Sequence, residues 1–248
     1  MTATQTEVTK KAVGGVPQEY SGLMDDTPVD VEDIIIPKLL LTQSQSGFFK
    51  DGKAKIGEIR GSLEVNLVAA VGQEVEFIPF GFFKTWVVLQ AKGGKFVEEI
   101  KYSEATLERE ETKDGVDLVN FQQINYYCLL AKDIATGVFM PYVVSFRSTS
   151  YTAGKALETK RQLFKEFDKP LCIKTFKLGS KHDKNEDGNE YEVFTVAEAR
   201  DTTDAELKAV KMWNGIVRTK KVVVDDSDNK VDDAPKEKRV HVNKDDEF

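Results

Sequence analysis

The stretch from Glu74 to Leu89 limits the fold of this chain more than any other. Phe77, Phe80, Phe83, Trp86 and their apolar neighbours suit a pleated sheet and crowd a helix, which calls for a long or bulged strand. Pro79 and Gly81 mark its expected edge or bulge. Apolar alternation predicts further strands over residues 62–69, 119–132, 137–146, 171–178 and 190–198. Between the strands at 119–132 and 137–146, Asp133-Ile134-Ala135-Thr136-Gly137 reads as a tight turn.

Two segments carry helical spacing instead. Ala153, Ala156, Leu157, Leu163, Phe164 and Phe167 recur on one side of a helix predicted over 152–167, capped by Ser150 or Thr152. Leu207, Val210 and Trp213 do the same over 203–214, after Thr202 or Thr203. The apolar run Ile34-Ile35-Ile36-Pro37-Lys38-Leu39-Leu40-Leu41 needs burial, and Pro37 biases Ile36 towards extended backbone, so this segment is expected to pack on the main domain. The charged connection 91–117 is read as irregular, with room for a small hairpin.

In chain order the principal elements are three strands, a helix and two strands. The fold class predicted is therefore mainly β, a five-stranded OB-fold-like barrel with a helix between its third and fourth strands. Such barrels bind oligonucleotides on strands 2 and 3 and through the loops between strands 1–2 and 4–5. Those loops would be the 90–118 connection and the 179–189 hairpin loop. The domain plan is an arm over 1–28, the barrel domain over 29–222 and a flexible acidic tail over 223–248.

Net charge is −7, which argues against nucleic acid until it is divided along the chain. Residues 1–42 hold three bases against seven acids, and residues 225–248 five against nine. The ends carry the acidity and the body is close to neutral, so local basic patches remain open to phosphate. Neither a signal peptide nor a long apolar span is evident, which points to the cytoplasm. Cys128 and Cys172 read as buried thiols, and His182 and His241 cannot build a usual zinc site.

No catalytic constellation emerges, and neither enzyme activity, a cofactor nor a metal is expected. Asp183, Asn185, Asp187 and Gly188 imitate a calcium loop, but the position for its bidentate Glu is Phe194. The hydroxyl-rich stretch before Lys155 lacks Walker spacing. Single-stranded nucleic acid instead needs flat side chains for base stacking, worth about 1–3 kcal/mol each, and cations to follow phosphates. Alternation places Phe82, Lys84 and Trp86 on one face of the long strand, alongside Phe80. Phe139 and Arg147 share an outward face of the third strand, and Lys174 and Phe176, with Lys177 beside them, one of the fourth. These eight residues, Phe82 to Lys177 without Phe80, form the candidate DNA-binding set. Tyr126 and Tyr127 point opposite ways, so only one can join it.

The chain ends in Asp245-Asp246-Glu247-Phe248, an acidic tip with one apolar anchor suited to docking on a basic pocket. With Asp33–Gln43, with Ser145-Phe146-Arg147-Ser148-Thr149-Ser150, and with the strand pair around Pro170-Leu171 and Glu190–Phe194, that tip resembles a family of tailed-phage single-stranded DNA-binding proteins. The resemblance implies an OB-fold that coats single strands in phage replication, recombination and repair. It also implies recruitment of replication partners (polymerase, helicase/primase or RNA polymerase) through residues 245–248. The chain departs from the pattern at Lys236-Glu237-Lys238-Arg239, which breaks the acidic tail. A phage assembly protein and a strand-annealing mediator remain alternatives, and a homo-oligomer stays open.

Overall fold

The long strand forms as its composition requires: Val75–Gln90 is β5, the spine of a ten-stranded sheet curled into a half-barrel. The computed structural model describes residues 34–44, 46–63, 66–186, 188–219 and 223–225, with the side chains of Phe48 and Thr219 left out. The predicted arm at 1–28 and the tip at 245–248 lie outside the described residues, as does the tail beyond Asp225.

Before β5 come β1 (Ile35–Ile36), β2 (Lys38–Leu41), the one-turn α1 (Gly47–Lys50), β3 (Ile59–Gly61) and β4 (Leu67–Ala69). After it come β6 (Phe96–Lys101), β7 (Glu110–Lys113) and β8 (Val116–Leu130). The short α2 (Ala131–Ala135), β9 (Pro141–Phe146) and α3 (Tyr151–Glu166) follow. The hairpin of β10 (Lys174–Lys184) and β11 (Glu190–Asp201), then α4 (Asp204–Thr219) and β12 (Val223–Val224), complete the described chain.

Strand order across the sheet is β11-β10-β5-β8-β9-β2-β3-β4, with β6 on the far half of β5 and β7 on the start of β8. Neighbours are antiparallel except β2 and β9, which run parallel. The segment expected merely to pack on the domain is therefore part of its sheet. The connection 91–117 is not irregular, since β6 and β7 extend β5 and β8 into a four-stranded projection. A helix replaces the tight turn expected at 133–137. Val223–Val224 pair with Ile35–Ile36, so the first residues assigned to the tail belong to a strand.

Phe77, Tyr126, Phe146 and Phe176 fill the inside of the curl, with Leu157 of α3 closing it from below. Full burial of one such side chain is worth about 1.5–3 kcal/mol. On the outside, Ala209 and Val210 of α4 cover Ile78 and Leu129. The amphipathic reading of α3 holds only in part. Leu157 is buried and Phe164 packs on the core, but Leu163 and Phe167 stand out in solvent, Phe167 at 72% exposure.

A β-bulge in β5 decides which aromatics share a face. Pro79 pairs with Cys128 and Gly81 with Tyr127, so Phe80 is the extra residue. Phe80 consequently joins Ile78 against the α4 side, while Phe82 falls in phase with Phe77 on the inner side. The expectation that Phe80 and Phe82 share a face is corrected by this one residue. Tyr127 lies over the bulge, where a Cβ on Gly81 would stand 2.8 Å from its ring.

Candidate functional site

The inner face of β5 beyond the bulge carries Phe82, Lys84 and Trp86 in succession, as the sequence predicts. The Arg161 guanidinium sits 4.2 Å from the centre of the Phe82 ring, and Lys84 Nζ lies 5.9 Å from that ring and 5.8 Å from Tyr102. Trp86 stacks on Tyr102 at 5.4 Å, and its Nε1–H donates to the Ala105 carbonyl at 3.1 Å. At 6% exposure its faces are used within the protein, and it offers none to a base.

The other predicted residues do not join this face. Phe176 is wholly buried, 6.1 Å from Phe77, and cannot meet a base. Lys174 is held by Glu198 at 3.1 Å and Asp201 at 2.8 Å; their hydrogen bonds push its ammonium up from the usual range. Lys177 pairs with Glu74 at 3.3 Å. Phe139 precedes β9 instead of lying in it, half exposed, and its carbonyl accepts from Trp213 Nε1–H. Arg147 is half-buried at the end of β9, just before the turn into α3.

Away from the apolar patch under α4, the outer face of β5, β8 and β9 carries a polar network. Gln123 donates to Asn125 Oδ1 at 3.0 Å and to Glu99 Oε1 at 3.1 Å. Ser145 Oγ donates to the same Asn125 oxygen at 2.7 Å, and Asn125 Nδ2 donates to Thr85 Oγ1 at 3.1 Å. Gln123 and Asn125 are buried and bonded to each other, so this face offers little to a ligand.

From Phe82 the surface descends into a cleft of about 410 Å³ between α3, α4 and the bulge. Phe80, Phe82 and Tyr127 wall it, and Arg161, Lys165, Lys169 and Arg218 line it without any carboxylate. Tyr127 is fixed between the rings of Phe80 at 6.2 Å and Phe83 at 5.0 Å. Arg161 is tied to Glu158 by two bonds of 2.7 Å. Burial pushes the Glu158 carboxyl up, but hydrogen bonds from Arg161 and Gln162 outweigh it and hold the group below its usual range. The Tyr126 hydroxyl, pushed up by burial and then by Glu158, stays protonated and donates to that carboxylate at 3.1 Å. Lys165, Lys169 and Arg218 form no ion pair among the described residues.

Arg161 and Lys165 fall within the helix predicted over 152–167 without being marked as candidates, and neither Lys169 nor Arg218 is among the predicted site residues. Their positions along the chain carry no signal of convergence, because three separate elements bring them together. The projection that replaces the expected 90–118 binding loop holds five bases against eight acids over residues 91–117, and would repel phosphate.

The fold and this surface define a mainly β protein with a basic, aromatic-walled cleft. Residues 10–223 match the Pam3 phage gp34-like protein family, and the chain belongs to that phage protein family. No curated protein and no solved structure matches it. Among the described residues no helix is long and apolar enough to cross a membrane.

Proposed function

We propose that this chain is a non-enzymatic phage protein that binds single-stranded DNA during replication, recombination or repair. The observation that carries the reading is the cleft, where cations from α3, α4 and the segment between α3 and β10 meet flat side chains with no carboxylate among them. Helix dipoles alone do not account for this charge. The last turns of two helices present together roughly one unit of negative partial charge, against four cations of which Glu158 occupies one.

The strand order β11-β10-β5-β8-β9, with α3 between β9 and β10, supports an OB-like barrel built on those five strands. In this reading β2 stands beside β9, and the strand of DNA runs along Lys84 and Phe82 towards the cleft, away from the acidic projection. Asp245, Asp246, Glu247 and Phe248 serve as the docking tip for replication proteins.

The test is titration with fluorescent oligo-dT and mixed-sequence DNA, single- and double-stranded, at two salt concentrations. Binding to single strands that weakens steeply with salt supports the reading. Absence of binding at low salt, also after removal of residues 240–248, overturns it and leaves an assembly or interaction protein.

A further inference from the structure

We infer that the cleft between α3 and α4 is a seat for a terminal phosphomonoester of a nucleotide, the end of a strand and not a point along it. The inference rests on the single-strand-binding reading and names the group bound.

Charge is the first argument. Arg161 is already paired with Glu158, which leaves Lys165, Lys169 and Arg218 as three cations without carboxylate partners among the described residues. Two helix C-termini offset roughly one unit of this, so about two positive charges remain to be met. An internal phosphodiester brings one negative charge. A phosphomonoester brings about −1.5 to −2 at neutral pH, with three acceptor oxygens. The residual charge of the cleft matches the end of a chain better than its middle.

Origin is the second. Lys165 belongs to α3, Lys169 to the turn after it and Arg218 to α4. One amphipathic helix cannot account for three cations from three elements. An anion seated in the cleft would meet all three at once. Size is the third, since about 410 Å³ lies within the range of pockets that hold one small ligand. The rings of Phe80, Phe82 and Tyr127 provide apolar wall for the attached base.

Two sources supply this chemistry: the phosphorylated end of a DNA strand and a free mononucleotide. The full-length protein is titrated calorimetrically with dTMP, thymidine and inorganic phosphate. In parallel, oligo-dT bearing a 5′-phosphate, a 3′-phosphate or neither is followed by fluorescence anisotropy. The expected result is binding of dTMP but not thymidine, and about tenfold tighter binding of one phosphorylated strand than of the unphosphorylated one. That gain disappears in the Lys169→Glu, Arg218→Glu double variant, whose circular dichroism stays unchanged because both side chains are at the surface. Binding of dTMP with no binding of any strand supports the seat with a free nucleotide as its occupant, and removes the strand-binding reading. Equal affinity for phosphorylated and unphosphorylated strands, with no dTMP binding, overturns the inference and leaves strand binding intact. Binding of inorganic phosphate as tight as dTMP overturns the nucleotide assignment.

Discussion

The side-chain amide of Gln43 is hydrogen-bonded to both backbone polar groups of Glu192. Its Nε2–H donates to the Glu192 carbonyl at 2.7 Å, and the Glu192 N–H donates to Oε1 at 2.9 Å. One side chain thus does for β11 what a neighbouring strand would do. Two residues on, the Phe194 N–H donates to Ser150 Oγ at 3.0 Å. Across the hairpin, Ser180 Oγ donates to the Gly57 carbonyl at 2.7 Å. Side chains therefore tie off the seam where the sheet fails to close on itself. Gln43→Ala leaves two half-buried backbone groups unpaired and is expected to cost about 1–3 kcal/mol in urea unfolding. Amide exchange at Glu192 should accelerate at the same time. Unchanged stability and exchange would mean that the seam is held elsewhere.

Gly154 is set against the inner side of the sheet. A Cβ there would stand 2.6 Å from Phe146 Cβ and 3.3 Å from Ile124 Cβ. Alanine gains roughly 1 kcal/mol of helix propensity over glycine. Overpacking a core contact of this kind costs about 1–3 kcal/mol, so the clash is expected to win. Gly154→Ala should lower the thermal midpoint, whereas Gly215→Ala, with open space around its added carbon, provides the propensity control in α4.

Much of the architecture was legible because its signals are local. The aromatic run at 74–89, the helical spacing of Leu157 and Phe164, and the capping residues at 202–203 all act within a turn or a strand. The register of Phe80 and Phe82 was not, since it turns on one bulged residue whose partner, Tyr127, lies in another strand. Phe176 looked like a groove residue only because alternation tells which side a residue faces and not what covers that side. The cleft was less legible still. Lys165, Lys169 and Arg218 become neighbours only after α4 packs across the bulged strand.

Glu206 should dominate the acid limb of stability. Thr203 and Glu206 form a capping box at the start of α4: the Thr203 N–H donates to Glu206 Oε2 at 2.8 Å, and the Glu206 N–H to Thr203 Oγ1 at 3.4 Å. The Arg200 guanidinium adds bonds of 2.9 and 2.7 Å and, with Thr203, holds the carboxyl down at about 2. A carboxyl lowered in the folded state stabilises fully above its unfolded value, and that stabilisation is lost as pH falls through the folded one. The window is roughly pH 4.3 to 2, and the loss is on the order of 2–3 kcal/mol. Glu206→Gln should lower stability at neutral pH and flatten the decline between those limits. An acid limb of the same slope in the variant would assign the effect to other carboxylates.

Trp86 and Lys84 are adjacent on one face yet should separate stability from binding. Trp86 is buried, stacked on Tyr102 and bonded to Ala105, so Trp86→Ala is expected to cost about 3–5 kcal/mol of stability. Lys84→Ala removes a partly exposed cation and should leave the unfolding midpoint within about 0.5 kcal/mol of the parent. Under the proposed function it should also weaken oligo-dT binding. Parallel unfolding and anisotropy titrations of the two variants check this. Loss of binding in neither, with the Trp86 variant folded, would remove this face from the DNA path.

The strongest contrast lies between paired and unpaired lysines. Lys174 and Lys177 were expected to follow phosphates, but Glu198, Asp201 and Glu74 already hold them. Releasing them to a phosphate would strand those carboxylates beside it, so Lys174→Ala and Lys177→Ala should change DNA affinity little. Lys165, Lys169 and Arg218 have no such competitors among the described residues. Each phosphate contact contributes about 0.7 to the slope of log affinity against log salt for single strands. Because the three surround one terminal phosphate, changing Lys165, Lys169 or Arg218 singly to Ala should reduce that slope for a terminally phosphorylated strand by no more than about 0.7, with uniform losses across sequences. The measurement is anisotropy over a salt series for all five variants. Equal slopes for the two groups would show that phosphates do not enter the cleft, and larger losses for Lys174 and Lys177 would move the path back to β10.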